Sequence, residues 1–387
     1  MECKRCGNKD PTYFYKGHRG YYCRKCIKFK RVLLDEDVED VQYDINPVSF
    51  EYGFSYDLTP SQNEVSKKVR EAICYEDVLL LCVCGAGKTE LSVESISYFL
   101  ERGLKACYAI SRKEVVIELA QRFSTIFPKA KVTAVYGNHH DVIFGDLIIC
   151  TTHQLYRYHN CFDLLVLDEV DAFPLKGNRT LIDIALRSCR GHIIFSTATV
   201  DSDLKQILSK RKYQTVSLYT RPSNKPLVVP LVYKSIKLLC FFRLYKIMHN
   251  MTNQAIIFVQ SKKQCSVLYT IFSKIYSSTY VYSDLDARNE NINAFKNKKY
   301  KFIFSTTVLE RGITIKDVNV IIVDFIKNKF DESSYVQMLG RVGRGIDNPF
   351  GEAYVLTSYK NKNVEDAINY INKANSYLWD VYSAIRK

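Results

Sequence analysis

From about Tyr56 onward, short apolar runs alternate with longer segments whose apolar positions recur at helical spacing. Residues 78–84 (VLLLCVC), 105–111 (KACYAIS), 131–136 (KVTAVY), 146–152 (DLIICTT), 164–170 (LLVLDEV) and 192–199 (HIIFSTAT) read as strands. Nearly continuous apolar runs of this length mark strands buried on both faces. Helices predicted over 88–101 and 113–127 separate the first of them, and such alternation implies a parallel sheet with right-handed crossovers. The rhythm breaks at residues 221–230 (RPSNKPLVVP), where three prolines cluster, and then restarts. Residues 255–261, 279–284, 301–307, 318–324 and 351–357 form a second series of strands. The pattern therefore predicts an α/β chain with two tandem parallel-sheet domains, at 56–225 and 226–387.

The first 34 residues follow a different pattern. They are rich in tyrosine, lysine and arginine and contain two tight cysteine pairs, Cys3/Cys6 and Cys23/Cys26. An acidic stretch follows (Asp35, Glu36, Asp37, Glu39, Asp40), so 35–55 reads as a linker or as a segment lying against the next domain. The two C-x2-C pairs, separated by residues 7–22, have the spacing of a four-thiolate zinc site in which each pair forms a knuckle. Gly7 supplies the turn after Cys6, and YFYKGHRGYY (13–22) reads as a small hairpin. With four protein ligands the Zn²⁺ would be structural; His18 is a weaker alternative ligand beside a complete cysteine set. The remaining cysteines of the thirteen lie mostly in apolar runs and read as small buried hydrophobes.

Composition adds two constraints. The 387 residues carry a formal charge of +14, which favours polyanionic partners because each neutralised phosphate releases counterions. No apolar run is long enough to span a bilayer, and the N-terminus (MECKRCGNKD) does not read as a signal peptide. The expected location is the cytosol, with peripheral docking at the inner face of the membrane allowed.

The chemistry concentrates at strand ends. GAGKT (85–89) follows a strand and opens a helix, the context of a phosphate-binding loop. Gly85, Ala86 and Gly87 would let the backbone approach a triphosphate. Lys88 would reach the β- and γ-phosphates, and Thr89 would hold Mg²⁺. The general pattern wants glycine where Cys82 stands; loops of the A-x-x-G-x-G-K-T kind need only a small residue there. LLVLDEVDAF (164–173) ends in two carboxylates. Asp168 is placed to hold Mg²⁺ through water, and Glu169 to orient and deprotonate the attacking water.

Together these motifs resemble superfamily 2 helicases. DEVD (168–171) is similar to their D-E-x-D motif, and STAT (196–199) to the S/T-A-T motif that couples hydrolysis to the nucleic-acid site. LTPSQ (58–62) resembles the adenine-reading element, with Gln62 as the reader. TTVLERGITI (306–315) resembles motif V, and QMLGRVGR (337–344) resembles motif VI. The resemblance implies two RecA-like lobes, ATP as the nucleotide, Arg341 and Arg344 as arginine fingers, and Glu90 and Gly312 beside the nucleotide. It places nucleic-acid contacts at Ser111, Arg112, Thr151, Thr152, Gln154, Ser261, Thr306 and Thr307. Taken one at a time, each of these also reads as a strand-end cap.

A four-cysteine module ahead of such a core, with CGAGKTE, TTHQL, DEVDAFP and TTVLERGIT, resembles the competence family ComFA. The resemblance implies a single-stranded DNA translocase that drives transforming DNA into the cytoplasm. The implied partners are competence proteins and a membrane DNA-uptake channel, and homo-oligomerisation is left open. A PriA-like replication-restart helicase is the alternative; such proteins carry their cysteines inside the core. A DEAD-box RNA helicase fits the phosphate loop and motif V less well. An ATP-switched clamp that grips DNA without moving is the alternative outside motors.

Overall fold

The computed structural model describes residues 1–34, 52–312, 315, 317–344 and 350–385, with side chains described up to residue 378. Most of the predicted linker (35–51) lies outside the described residues, as do Ile313, Thr314 and Lys316 of motif V. The chain divides into two compact units, Met1–Cys82 with Gly87–Leu218, and Val83–Ala86 with Tyr219–Lys387.

The first unit begins with an antiparallel hairpin, β1 (Phe14–Gly17) and β2 (Gly20–Cys23), at the position of the aromatic spacer. Next come α1 (Pro60–Ile73), β3 (Asp77–Cys82), α2 (Lys88–Leu100), β4 (Ala106–Ile110) and α3 (Lys113–Ile126). They are followed by β5 (Val132–Val135), β6 (Leu147–Thr151), β7 (Phe162–Asp168) and α4 (Arg179–Ser188). The unit ends with β8 (Cys189–Thr197), α5 (Ser202–Leu208) and β9 (Tyr213–Leu218). The strand order is β5-β6-β4-β7-β8-β3-β9, and every pairing is parallel.

The second unit contains β10 (Leu231–Lys234), α6 (Lys237–Asn250), β11 (Ala255–Val259), α7 (Lys262–Phe272) and β12 (Ser278–Val281). It continues with α8 (Arg288–Lys296), β13 (Phe302–Ser305), β14 (Asn319–Asp324), α9 (Glu332–Leu339), β15 (Ala353–Thr357) and α10 (Lys362–Ile385). Its order, β10-β15-β14-β11-β13-β12, is again parallel throughout. The expectation of two parallel α/β sheets therefore holds.

Burial follows the sequence pattern. All residues of β4, β6, β11 and β14 are buried, which is why they appear as unbroken apolar runs. Two strands escape the pattern, β9 and β10. They are edge strands, β9 with its first three residues exposed and β10 with three of its four. An edge strand faces solvent along one side, so polar residues remain in it. Helix α1 starts at a capping box: the Thr59 hydroxyl accepts from the Gln62 amide, and Gln62 Oε1 accepts from Thr59 N at 3.0 Å.

The cysteine module is continuous with the first unit. Cys3, Cys6, Cys23 and Cys26 belong to the same buried cluster as Leu155, Tyr158 and Leu181. Arg5 Nη1 donates to the carbonyls of Phe29 (2.9 Å) and Lys30 (2.6 Å), while its guanidinium lies 5.4 Å from the Tyr156 ring centroid. Phe29 packs 6.1 Å from Tyr156 and 6.2 Å from His153, centroid to centroid. Gly7 has φ 64°, in the left-handed region that favours glycine, and a Cβ there would also displace the guanidinium of Arg187.

Candidate active site

Parallel sheets collect functional residues at the carboxyl ends of their strands. At the end of β3 the chain turns through Gly85 (φ 85°) and Gly87 (φ 88°), and Lys88 opens α2. Gly87 fits for a second reason: an added Cβ would stand 2.5 Å from Gln62 Nε2 and 3.3 Å from Glu90 Oε2. Gln62 is thus held by the capping box with its amide against the loop, and it is buried. Glu90 is engaged by Arg122 and accepts from the Tyr56 hydroxyl at 2.6 Å. Burial, and then the Glu90 carboxylate, push the Tyr56 phenol up to about 12. Cys82 is fully buried, and burial pushes its thiol up to about 12, consistent with a small apolar residue at the loop entrance.

Asp168 ends β7 within a ring of donors. Tyr108 Oη donates to Oδ2 at 2.8 Å, Ser196 Oγ to Oδ1 at 2.9 Å, and the Glu169 amide to Oδ1 at 2.9 Å. The Tyr108 hydroxyl also lies 3.4 Å from Thr89 Oγ1. One buried phenol therefore bridges the two residues expected to hold Mg²⁺. Burial and the Asp168 charge raise its pKa well above the ordinary value, so it remains protonated and able to donate. Glu169 has φ 53°, in the left-handed region that a non-glycine residue rarely adopts. Asp171 accepts from Thr199 Oγ1 at 2.7 Å, and Thr197 Oγ1 donates to the Thr199 carbonyl at 2.7 Å. The DEVD and STAT segments are thus joined twice, through Asp168–Ser196 and Asp171–Thr199.

The expected nucleic-acid residues of this unit sit at the ends of the adjacent strands β4 and β6. Ser111 and Arg112 are half-buried, and Arg112 is the N-cap residue of α3. Thr151, Thr152 and Gln154 are all buried. Thr152 and Gln154 lie in the 3-10 turn Thr152–Arg157, where Arg157 Nε donates to Gln154 Oε1 at 2.5 Å. In this conformation the exposed residue of the turn is His153, with Tyr156 and Arg157 half-buried beside it.

In the second unit, Ser261 caps α7, its hydroxyl accepting from Gln264 N at 3.1 Å. Thr306 and Thr307 follow β13, with Thr307 exposed. Gly312 has φ 70°. Arg341 is buried and donates from Nε to the Glu310 carbonyl at 3.2 Å; Arg344 Nε donates to the Gly340 carbonyl at 2.9 Å. The turn carrying both is held by Arg221, which sequence reasoning treated as part of a proline-rich break. Arg221 donates to the carbonyls of Gly340 (3.0 Å), Val342 (2.6 Å) and Gly343 (3.1 Å). Burial, with help from Arg344, lowers its pKa to about 10.

The four thiols fit zinc. Their sulfurs lie within 4.8 Å of one another, with Cys3–Cys26 at 3.7 Å and Cys6–Cys23 at 3.8 Å. Sulfurs at the corners of a tetrahedron with Zn–S bonds of about 2.3 Å would be about 3.8 Å apart. Hydrogen bonds from Cys26 and Cys6 hold the Cys3 thiol below its ordinary range, while the same contact with Cys3 pushes the Cys26 thiol up.

Comparison with known proteins agrees with this geometry. Residues 59–207 match the DEAD/DEAH box helicase family and 236–345 the helicase conserved C-terminal domain. Competence protein ComFA of Bacillus subtilis is 30% identical over 96% of this chain and 85% of its own length. The chain belongs to the ComFA family. ComFA of Streptococcus pneumoniae is also 30% identical, over 96% of this chain and 90% of its own. Saccharomyces cerevisiae Dbp5 bound to RNA and ADP-BeF3 shares the fold, with TM-score 0.59 and 20% identity over 82% of this chain and 91% of its own. This ComFA-family chain is accordingly an ATP-dependent helicase of superfamily 2 with two RecA-like domains. No helix among the described residues is long and apolar enough to cross a membrane.

Proposed function

We propose that this protein uses ATP hydrolysis to move along single-stranded DNA and draws transforming DNA into the cytoplasm. The observation that carries the reading is the hydrogen-bonded series Thr89–Tyr108–Asp168–Ser196, which ties the phosphate loop to the STAT segment through buried side chains. Lys88 meets the β- and γ-phosphates. Thr89 and Asp168 hold the Mg²⁺ that accompanies ATP, and this ion neutralises charge on the phosphates. Glu169 orients the attacking water and accepts its proton. Arg341 and Arg344 supply positive charge to the γ-phosphoryl group as it transfers. Phosphoryl transfer depends mainly on such positioning and charge, so small shifts at Asp168 or Asp171 change the rate. The same shifts reach Ser196 and Thr199 through their hydrogen bonds, giving hydrolysis a mechanical link to the DNA-facing strand ends. Zinc, held by Cys3, Cys6, Cys23 and Cys26, fixes the knuckles of the N-terminal module. Competence proteins and a membrane DNA channel are the partners this reading requires.

The test compares ATPase activity with single-stranded DNA, duplex DNA and RNA. Single-stranded DNA should stimulate most, and Glu169→Gln should abolish the stimulated rate while retaining ATP binding. Equal stimulation by RNA, or full turnover in Glu169→Gln, overturns the reading.

A further inference from the structure

Helix α6 is apolar on both sides. Cys240, Leu244, Ile247 and Met248 face the core of the second unit, as one stripe of an amphipathic helix should. The opposite side carries Leu238, Leu239, Phe242 and Tyr245, which are 62%, 54%, 59% and 41% exposed. A surface helix ordinarily places polar residues there; here Lys246 and His249 share the face with four large apolar side chains. The apolar surface extends past the helix. Phe241 and Tyr245 meet Phe272 and Tyr276, so α7 lies alongside, and it presents exposed Val267 and Ile271. On the β10 side Leu231 and Val232 are also exposed. Of these, Val232, Leu239 and Phe242 line one cleft, and exposed apolar side chains gathered in this way mark an interaction site.

Two further features say what would cover it. Among the described residues, β10 pairs only with β15, so its outer edge offers backbone donors and acceptors to an extended chain. Between β10 and α6 runs a cleft of about 650 Å³. Its floor includes Val232, Leu239 and Phe242, and its basic residues are Lys234, Arg243 and Lys246. No acidic side chain lines it, and none of those three cations is ion-paired among the described residues.

We infer that this cleft takes an extended, acidic and apolar segment of a partner protein as an added strand on β10. The free strand edge supplies main-chain hydrogen bonds, the α6 face receives alternate apolar side chains, and the three cations receive the carboxylates. A second copy using the same face would oppose like charges. Single-stranded DNA would satisfy the cations and could stack on Phe242 and Tyr245, but it would leave the aliphatic Leu238, Leu239 and Val232 and the β10 strand edge without contacts.

The experiment uses the full zinc-loaded chain and three fluorescein-labelled probes. These are a 14-residue peptide alternating Val/Ile with Asp/Glu, its counterpart with Lys at every acidic position, and a dT20 oligonucleotide. The acidic peptide should bind, and amide exchange should slow across residues 231–235 on binding. Phe242→Asp and Arg243→Glu should each weaken it at least tenfold while leaving basal ATPase and thermal unfolding unchanged. Absence of binding by the acidic peptide overturns the proposal, as does equal binding by the lysine peptide. Displacement of the peptide by dT20 from this cleft would assign the face to DNA. Loss of a wild-type dimer in Phe242→Asp would assign it to self-association.

Discussion

Replacing Tyr108 by phenylalanine removes one oxygen from the centre of the proposed nucleotide site and nothing else. That oxygen donates to Asp168 at 2.8 Å and lies 3.4 Å from Thr89, and the side chain is fully buried. A hydrogen bond to a charged group contributes about 1.5–3 kcal/mol. Asp168 retains Ser196 and the Glu169 amide as donors, so its carboxylate is loosened but not orphaned. If about 1.4 kcal/mol of that energy orients Asp168 for Mg²⁺, metal affinity falls about tenfold, the size expected when a partner of a metal ligand is lost. The assay is the Mg²⁺ dependence of DNA-stimulated ATP turnover, checked by Mn²⁺ binding with ADP present. The half-saturating Mg²⁺ concentration should rise about tenfold in Tyr108→Phe, with kcat at saturating Mg²⁺ retained within a few-fold. An unchanged Mg²⁺ dependence would show that Tyr108 only fills space.

Other consequences follow from the same geometry. Arg221→Met leaves the Val342 and Gly343 carbonyls without their side-chain donor and Gly340 with Arg344 alone, so the second unit should lose about 2 kcal/mol of stability in urea unfolding. Its kcat should fall at least about tenfold as Arg341 and Arg344 lose their support, and retained kcat would argue against that support. Zinc chelation should lower the unfolding temperature of the whole first unit in calorimetry, because the four cysteines share its core cluster; melting of the hairpin alone would contradict this. The Tyr56 phenol has its pKa raised in the folded state, from 10.0 to about 12. Its contribution to stability is therefore complete below pH 10 and is lost as pH rises towards 12. Tyr56 shares its late titration with buried phenols such as Tyr108, so in an ultraviolet titration Tyr56→Phe should lack one of the wild type's late-titrating phenols and keep the rest.

The parallel sheets were legible because doubly buried strands such as β4, β6, β11 and β14 are continuous apolar words. The edge strands β9 and β10 were not: β9 (YQTVSL) takes polar residues on its exposed side, and β10 (LVYK) is short and follows the proline-rich break. The phosphate loop could be read because its chemistry constrains consecutive residues. Tyr108 and Arg221 could not, because their roles depend on what folding brings near them. Within KACYAIS the tyrosine looks like one more core residue, and only the fold places its hydroxyl between Thr89 and Asp168. Arg221 stands before Pro222 in an apparently irregular stretch, yet it is buried against the turn that carries Arg341 and Arg344. Likewise, the cysteine spacing suggested zinc but gave no sign that Phe29 and Arg5 would pack on Tyr156. The buried positions of Thr152 and Gln154 carry a related lesson: strand-end hydroxyls and amides can be absorbed by the local turn.

Movement along DNA is the central claim, and streptavidin displacement from end-biotinylated single strands of increasing length tests it most directly. A translocase should release streptavidin in an ATP-dependent reaction whose lag lengthens with the strand and vanishes in Lys88→Ala. DNA-stimulated hydrolysis without displacement, or with a lag independent of length, would mean that the protein clamps DNA without moving along it.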